Sequence, residues 1–227
     1  TAANGVGLFR TELLYLSEKV KPSRDKQAQA YAEILAAAPE GPVVVRTIDA
    51  GSDKPVPFLD MPEEENHDMG ISGFRLIQNH REFIVDQLAS LEVARAKTGR
   101  EVWVMAPMIA TASEAIEFAE MAKRAGGYQV GIMVETPSIA ALIDQLAGIV
   151  DFVSVGTNDL SQYLFAADRM NAGLGALLNP WQPALIRMLA KIAQDSEAAG
   201  VSSGVCGESA SDPAFAVVLA GLGFKSV

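Results

Sequence analysis

The sequence has 227 residues, and 49% of them are hydrophobic, which is enough to build a large core in one α/β domain. Its net charge of −10 excludes a surface built for nucleic acid, because phosphate backbones are bound by clustered Lys and Arg. The apolar runs are too short for a membrane span, and no secretory signal opens the chain. The single cysteine, Cys206, fits a reducing compartment. We therefore expect a cytoplasmic protein that binds neither nucleic acid nor membranes.

Short apolar runs alternate along the chain with segments of helical spacing, as is typical of a parallel sheet flanked by helices. No glycine-rich nucleotide fingerprint follows an early strand, which favours a TIM (β/α)8 barrel over an open sheet. The chain starts near a helix end and stops inside its last apolar run, so we expect a fragment, 1–227, of one barrel domain without its first strand and final helices. Seven runs are predicted strands: 5–9, 42–45, 102–106, 129–134, 152–155, 202–205 and 224–227.

The predicted helices carry recognisable start and stop signals. Proline opens three of them, at Pro137, Pro183 and Pro213, and the second ends at Gly200. In the first, the inward positions follow the helical spacing i, i+3, i+4 and i+7. They are Ile139, Leu142, Ile143 and Leu146. Segments 82–99 and 113–125 show the same pattern, and we expect Ile116 and Ala119 to face inward in the latter.

Residues that can carry chemistry follow most of the predicted strands, at the carboxyl ends where such barrels place their active sites. Two carboxylates from adjacent strand ends suit Mg²⁺, although a general acid and base pair is the rival use. Arginines at the same ends suit a phosphoryl group, or else form structural salt bridges with nearby acids. Together they suit a phosphorylated carboxylic acid. The carboxylates are Glu135 and Asp159, and the possible salt bridges are Arg10 with Glu12 and Arg46 with Asp49.

Cys206 also follows a predicted strand. A lone cysteine is by default a small buried hydrophobe, whereas at a catalytic rim it would be a nucleophile or a proton donor. No neighbouring residue forms a Cys-His nucleophile pair with it, so we favour proton donation.

Six ordered segments resemble the phosphoenolpyruvate (PEP)-binding domain of the phosphoenolpyruvate-protein phosphotransferase family, Enzyme I of the sugar phosphotransferase system. They are GVGLFRTELLYL, VVVRTIDAGSDKPVPFL, VWVMAPMIATASEA, VGIMVETPSIAALI, VDFVSVGTNDLSQYLFAADR and GVCGESASDP. The resemblance implies a TIM barrel in which PEP donates its phosphoryl group, with Mg²⁺, to a histidine of a separate N-terminal domain, leaving pyruvate. The group would pass on to an HPr-type phosphocarrier, and a homodimer is also implied.

The resemblance implies a role for each matching residue. Glu135 and Asp159 would bind Mg²⁺, and Cys206 would protonate the enolate carbon. Neither His67 nor His80 matches the motif of the phosphoryl-accepting histidine. The implied substrate-binding residues are Arg10, Arg46, Lys54, Asn158 and Arg169.

One loop departs from the family pattern Asn-Pro-x-Leu-Gly-x-Arg-x-x-Arg. It reads NHDMGISGFR at residues 66–75, with Ser72 in place of the first, substrate-contacting arginine. Losing that charged contact would cost about 1.5–3 kcal/mol, unless a shifted loop lets Arg75 replace it. Ser72 therefore keeps open a catalytically weakened regulatory or dimerisation paralogue. A second alternative, independent of this loop, is the pyruvate- or PEP-binding domain of a dikinase or PEP synthase.

Overall fold

A computed structural model describes residues 3–51, 56–61 and 63–227. These described residues form two compact units, the first within 1–107 and 118–130, the second within 108–117 and 131–227. In both units parallel strands alternate with helices along the chain. The α/β class is therefore confirmed, while the complete eight-stranded barrel stays a prediction.

The first unit is built on three parallel strands in the order β1-β2-β3. These are β1 (Val6–Arg10), β2 (Val43–Arg46) and β3 (Val102–Ala106). All four residues of β2 are buried, as expected for a central parallel strand. Helices α1 (Arg24–Ala37) and α2 (Ile77–Thr98) pack against each other. The register aligns Arg10 with Arg46, so both side chains leave the sheet at the same edge.

The second unit repeats this arrangement with β5 (Phe152–Val155) between two parallel neighbours. The neighbours are β4 (Gln129–Val134), which begins in the first unit, and β6 (Ser202–Val205). None of the helices within the described ranges has the length and apolar character that a membrane crossing requires. The remaining helices are α3 (Ala112–Ala125), α4 (Pro137–Ala140), α5 (Thr157–Phe165), α6 (Pro183–Ala199) and α7 (Pro213–Leu222).

Six of the seven predicted strands are confirmed, four with the predicted bounds and two shifted by one residue. The exception is 224–227, which was predicted as a strand. In this segment Ser226 forms a single parallel bridge with Gly204. One bridge does not make a ladder, so the segment is not a strand in the described part of the chain.

Two helix predictions needed correction. The helix predicted from Pro137 breaks at Leu142, whose φ of −120° interrupts the helical backbone, and a separate 3₁₀ turn follows at Ile143–Leu146. Ile116 was predicted to face inward but is 42% exposed, because the buried face of α3 runs through Ala115, Phe118 and Ala119. Helix α6 ends as predicted, with Gly200 in the left-handed conformation at φ 69°.

Candidate functional site

At the edge of the first unit, two arginines share one carboxylate. Arg10 Nε donates to Glu12 Oε1 at 2.7 Å, and Arg46 Nη2 donates to the same oxygen. Arg46 Nη2 also lies 3.0 Å from Asp49 Oδ2. The salt bridges Arg10–Glu12 and Arg46–Asp49 are thus confirmed, and Glu12 joins them into one group.

This group of four charged residues is electrically balanced, and its members differ in accessibility. The side chains of Glu12 and Arg46 are 1% and 6% exposed, whereas that of Arg10 is 42% exposed. A buried charge is tolerated when it is paired, so Glu12 stabilises Arg46 inside the unit. Arg10 is therefore the cation of this group that an incoming anion meets first.

Two further predictions in the first unit concern Lys54 and the loop that contains Ser72 and Arg75. Lys54 lies outside the described residues. Ser72 precedes the 3₁₀ turn Gly73–Leu76, is half-buried and makes no capping hydrogen bond with its side chain. Arg75 Nη1 donates to Gly70 O at 2.9 Å and lies 3.4 Å from Met69 O, so its guanidinium stabilises its own loop. The proposed replacement of the family arginine by Arg75 is not supported by these contacts.

In the second unit, Glu135 follows β4 and is 2% exposed. Its Oε2 accepts a hydrogen bond from Met108 N at 2.9 Å, and Met108 adopts a left-handed backbone at φ 55°, which is uncommon for a residue other than glycine. Gly156 follows β5 directly opposite. A Cβ atom on Gly156 would lie 2.7 Å from both Cγ and Oε1 of Glu135. The carboxylate thus occupies space that exists because residue 156 has no side chain.

Asp159 lies in the first turn of α5, three residues beyond Gly156. Its Oδ1 accepts from Arg169 Nη1 at 2.9 Å, so the structure brings these two predicted residues together. Gln162 Oε1 accepts from Arg169 N at 2.9 Å, and Ala166 adopts φ 49° where α5 ends. The turn after α5 is therefore folded back so that Arg169 faces the start of the same helix.

The turns after β5 and β6 are joined side by side. Asn158 Oδ1 accepts from Glu208 N at 3.1 Å, and the hydroxyls of Thr157 and Ser209 are 2.7 Å apart. This contact fixes the orientation of the Asn158 amide, and its Nδ2 group can donate to an anionic oxygen.

Cys206 follows β6 and is half-buried, so it is neither the fully buried hydrophobe nor a surface residue. Its backbone N–H donates to Val155 O at 3.0 Å, and its Sγ lies 3.6 Å from the same oxygen. The thiol therefore has a carbonyl acceptor for its S–H group within the fold. A Cβ on the next residue, Gly207, would lie 1.9 Å from Thr157 Oγ1, so the two turns touch closely at this point.

The donor set of the second unit fits a Mg²⁺ ion. Mg²⁺ takes one or two carboxylates from a protein and fills its other positions with water and substrate phosphate oxygens. Glu135 and Asp159 supply that number from adjacent strand ends, and Gly156 leaves room for the Glu135 carboxylate. Within residues 3–51, 56–61 and 63–227, no group of three or more His, Cys, Asp or Glu side chains forms a site made by the protein alone.

Four residues of this region were not predicted as site residues, namely Met108, Thr157, Gln162 and Ser209. Thr157 and Ser209 stand beside predicted residues in the motifs GTND and CGES, so their positions were a usable signal. Gln162 and Met108 act on Arg169 and Glu135 through backbone geometry that forms only on folding. A single sequence carries no signal for such contacts.

These features define an α/β domain that carries carboxylates, an amide and a thiol at the carboxyl ends of parallel strands, the arrangement used by strand-end binding sites. The chain belongs to the family described as PEP-utilising enzyme, PEP-binding domain, whose model matches residues 1–227. The PEP-binding domain predicted from the six segments is therefore confirmed.

Curated relatives cover almost the whole chain. It is 47% identical to the phosphoenolpyruvate-protein phosphotransferase of Streptomyces coelicolor, over 99% of this chain and 41% of that protein. The enzyme of the same name in Staphylococcus carnosus is 41% identical, over 97% of this chain and 40% of the relative. The multiphosphoryl transfer protein of Rhodobacter capsulatus is 39% identical, over 99% of this chain and 28% of that protein. The chain thus spans less than half the length of each.

Proposed function

We propose that this chain binds PEP and releases its phosphoryl group within a phosphoenolpyruvate-protein phosphotransferase. The observation that carries the proposal is the cluster of Glu135, Asn158, Asp159 and Cys206 at three consecutive strand ends, in a chain matched along its length by the PEP-binding family. The acceptor would be a histidine on a separate N-terminal domain, and the next acceptor an HPr-type phosphocarrier. A homodimer in the cytoplasm completes the proposal.

The metal-binding role falls to Glu135 and Asp159, with Mg²⁺ as the ion. When bound, Mg²⁺ neutralises charge on the transferring phosphoryl group and orients its oxygens. Asp159 already pairs with Arg169, so the carboxylate and the guanidinium are held in one place for a metal and for an anion.

Substrate oxygens are bound by cations and by one amide. Asn158 donates through Nδ2, and Arg169 donates from its guanidinium group, which Asp159 holds in position. Arg10, Arg46 and Lys54 carry the remaining positive charge. In a chain of net charge −10, an anion must be bound by such focused cations and not by the overall field.

Cys206 acts as the proton donor. When the bridging P–O bond of PEP breaks, its electron pair forms the enolate of pyruvate, and the phosphoryl group goes to the acceptor histidine. The thiol then gives its proton to the enolate carbon, and the resulting thiolate takes a proton from water. The closed contact between the turns after β5 and β6 keeps this thiol beside the phosphoryl-binding residues.

Calorimetry of PEP binding with Mg²⁺ tests the metal site. We expect Glu135→Ala and Asp159→Ala to abolish the Mg²⁺-dependent heat. Asp195→Ala is a matched control in the same unit, because Asp195 pairs on the surface with Lys191, and it should bind as wild type does. Equal heats in all four proteins would remove the metal assignment. Exchange of pyruvate methyl protons with solvent, lost in Cys206→Ala, tests the proton donor.

Ser72 favours a second candidate, a weakened regulatory or dimerisation paralogue. No arginine replaces the missing contact at this loop, since Arg75 is engaged with the carbonyls of Met69 and Gly70. If the domain is catalytic and Ser72 only weakens its substrate binding, Ser72→Arg should tighten PEP binding by about tenfold or more. No gain in Ser72→Arg, together with no pyruvate proton exchange in wild type, would favour the non-catalytic paralogue. A dikinase or PEP synthase would be recognised by an ATP-binding domain in the parent gene.

A further inference from the structure

A buried glutamine outside the predicted site joins the ends of β1 and β2. Gln87 lies on α2 and is 0% exposed. Its Nε2 donates to Thr11 Oγ1 and to Tyr31 OH, each at 3.0 Å, and its Oε1 accepts from Ile48 N at 2.9 Å. Thr11 directly follows β1, and Ile48 lies two residues beyond β2. One side chain of a helix therefore contacts both strand ends.

The directions of these hydrogen bonds follow from the chemistry of the groups. The N–H of Ile48 can only donate, so it requires Gln87 Oε1, and the two amide protons must then face Thr11 and Tyr31. Because Thr11 Oγ1 accepts one of these protons, its own proton is directed to Arg46 O, 2.9 Å away. The carbonyl of Arg46 is thus held by Gln87 through a single hydroxyl.

Gln87 fixes the backbone on both sides of Thr47. Before Thr47, the Arg46 carbonyl is held through Thr11, and after it, the Ile48 N–H is held directly. Thr47 N itself donates to Met105 O on β3 at 2.9 Å. These contacts set the backbone angles at Arg46, and hence the direction in which its side chain leaves β2.

We infer that Gln87 is a positioning residue that orients Arg46, from the helix behind the strand ends, for binding a phosphorylated carboxylate. The inference rests on the proposed function, in which Arg46 binds an oxygen of PEP. The Arg46 guanidinium is held between Glu12 and Asp49, so a small change at its backbone alters the angle at which this group meets an anion. Bidentate recognition of phosphate or carboxylate is sensitive to such changes in angle.

Gln27 provides a matched control. It is also a buried glutamine, 2% exposed, and it accepts from Tyr15 OH at 3.0 Å and donates to Pro22 O at 3.2 Å. Gln27 contacts neither strand end directly, and it is linked to Gln87 only through the hydroxyls of Tyr15 and Tyr31, so it tests the shared network without the contacts to Thr11 and Ile48. Gln27→Met and Gln87→Met both remove a buried amide at nearly constant volume, so both should lower the stability of the unit. Only Gln87→Met should alter PEP binding.

Thr11 tests the path between Gln87 and Arg46. Thr11→Val preserves the shape of the side chain and removes the hydroxyl, whereas Thr11→Ser keeps the hydroxyl. If the path is through Thr11 Oγ1, Thr11→Val should resemble Gln87→Met in its PEP affinity, and Thr11→Ser should resemble wild type. In the double variant, the losses from Gln87→Met and Thr11→Val should be less than additive, because both interrupt one path.

The experiment combines PEP calorimetry, in the presence of Mg²⁺, with amide hydrogen exchange measured without ligand on the same 227-residue chain. We expect Gln87→Met to weaken PEP binding by about tenfold, and to accelerate exchange of the Ile48 amide, relative to Gln27→Met. Equal PEP affinities in these two variants would overturn the inference even if both are less stable. If wild type binds no PEP, the proposed function fails. Ile48 exchange then decides the positioning role, and unchanged protection in Gln87→Met rejects it.

Discussion

Gly156→Ala tests the packing on which the Glu135 carboxylate depends. Gly156 has φ −87° and ψ 85°, so its backbone does not require glycine, and the effect of the change is steric. The new methyl group would lie 2.7 Å from Cγ and Oε1 of Glu135 and 3.1 Å from Cδ. Glu135 is buried and held by Met108 N, so it has little room to move away. We expect a loss of about 1–3 kcal/mol in unfolding free energy, the usual cost of overpacking.

Gly221→Ala is the control for this substitution, because it lies in α7 of the same unit and a Cβ there meets no atom within 4 Å. Alanine should stabilise that helix by about 0.5–1 kcal/mol. Urea unfolding of both variants and wild type measures the difference, and a Mg²⁺ titration shows whether Glu135 has moved. If Gly156→Ala were as stable as Gly221→Ala and kept its Mg²⁺ response, the close contact between Gly156 and Glu135 would be refuted.

Two further predictions concern a buried tyrosine and a helix cap. Burial raises the pKa of Tyr31 to about 12 from 10.0, so the folded chain keeps a proton that the unfolded chain releases. The unfolding free energy should therefore fall as pH rises above about 10. Tyr31→Phe should reduce the slope of unfolding free energy against pH by up to about 1.4 kcal/mol per pH unit. The same slope in both proteins, measured by urea unfolding, would contradict this. Asp212 accepts from Ala214 N at 2.9 Å, and Asp212→Ala should cost about 1 kcal/mol in thermal unfolding, whereas Asp212→Ser should restore most of it.

The strands were predictable because burial on both faces gives parallel strands a continuous apolar run. The runs at 102–106, 129–134, 152–155 and 202–205 have no competing interpretation, and their bounds match β3 to β6. The run at 224–227 starts with a single apolar residue, Phe224, and it forms only the bridge from Ser226. Periodicity reports the burial that a segment prefers and not the number of partners that it finds.

The helical spacing of 137–146 predicted one continuous helix, which is wrong, because the same inward residues also suit a broken helix. Ile139, Ile143 and Leu146 are fully buried as predicted, although Leu142 has left the helical conformation. A hydrophobic pattern records which side chains are inside and does not record local backbone breaks.

The candidate site was predictable where chemistry follows strands directly, as with Glu135, Asp159 and Cys206. Their placement needed only the rule that parallel strands end at one edge. The supporting contacts were not predictable, because Gln87 lies 76 residues from Thr11 and 39 from Ile48 along the chain. A buried glutamine in a helix looks in sequence like any polar residue on a solvated face.

The two hydrogen-bonded contacts between the turns after β5 and β6 affect how segments of this domain can be exchanged between relatives. Asn158 and Thr157 belong to the same turn as Asp159, and they fasten the segment that bears Cys206 through Glu208 N and Ser209. The thiol is therefore placed by its neighbour's turn as much as by its own strand. In a chimera of two relatives, GTND and CGES should therefore be exchanged together, because exchanging either one alone disturbs the two contacts that hold the Cys206 segment against the turn after β5.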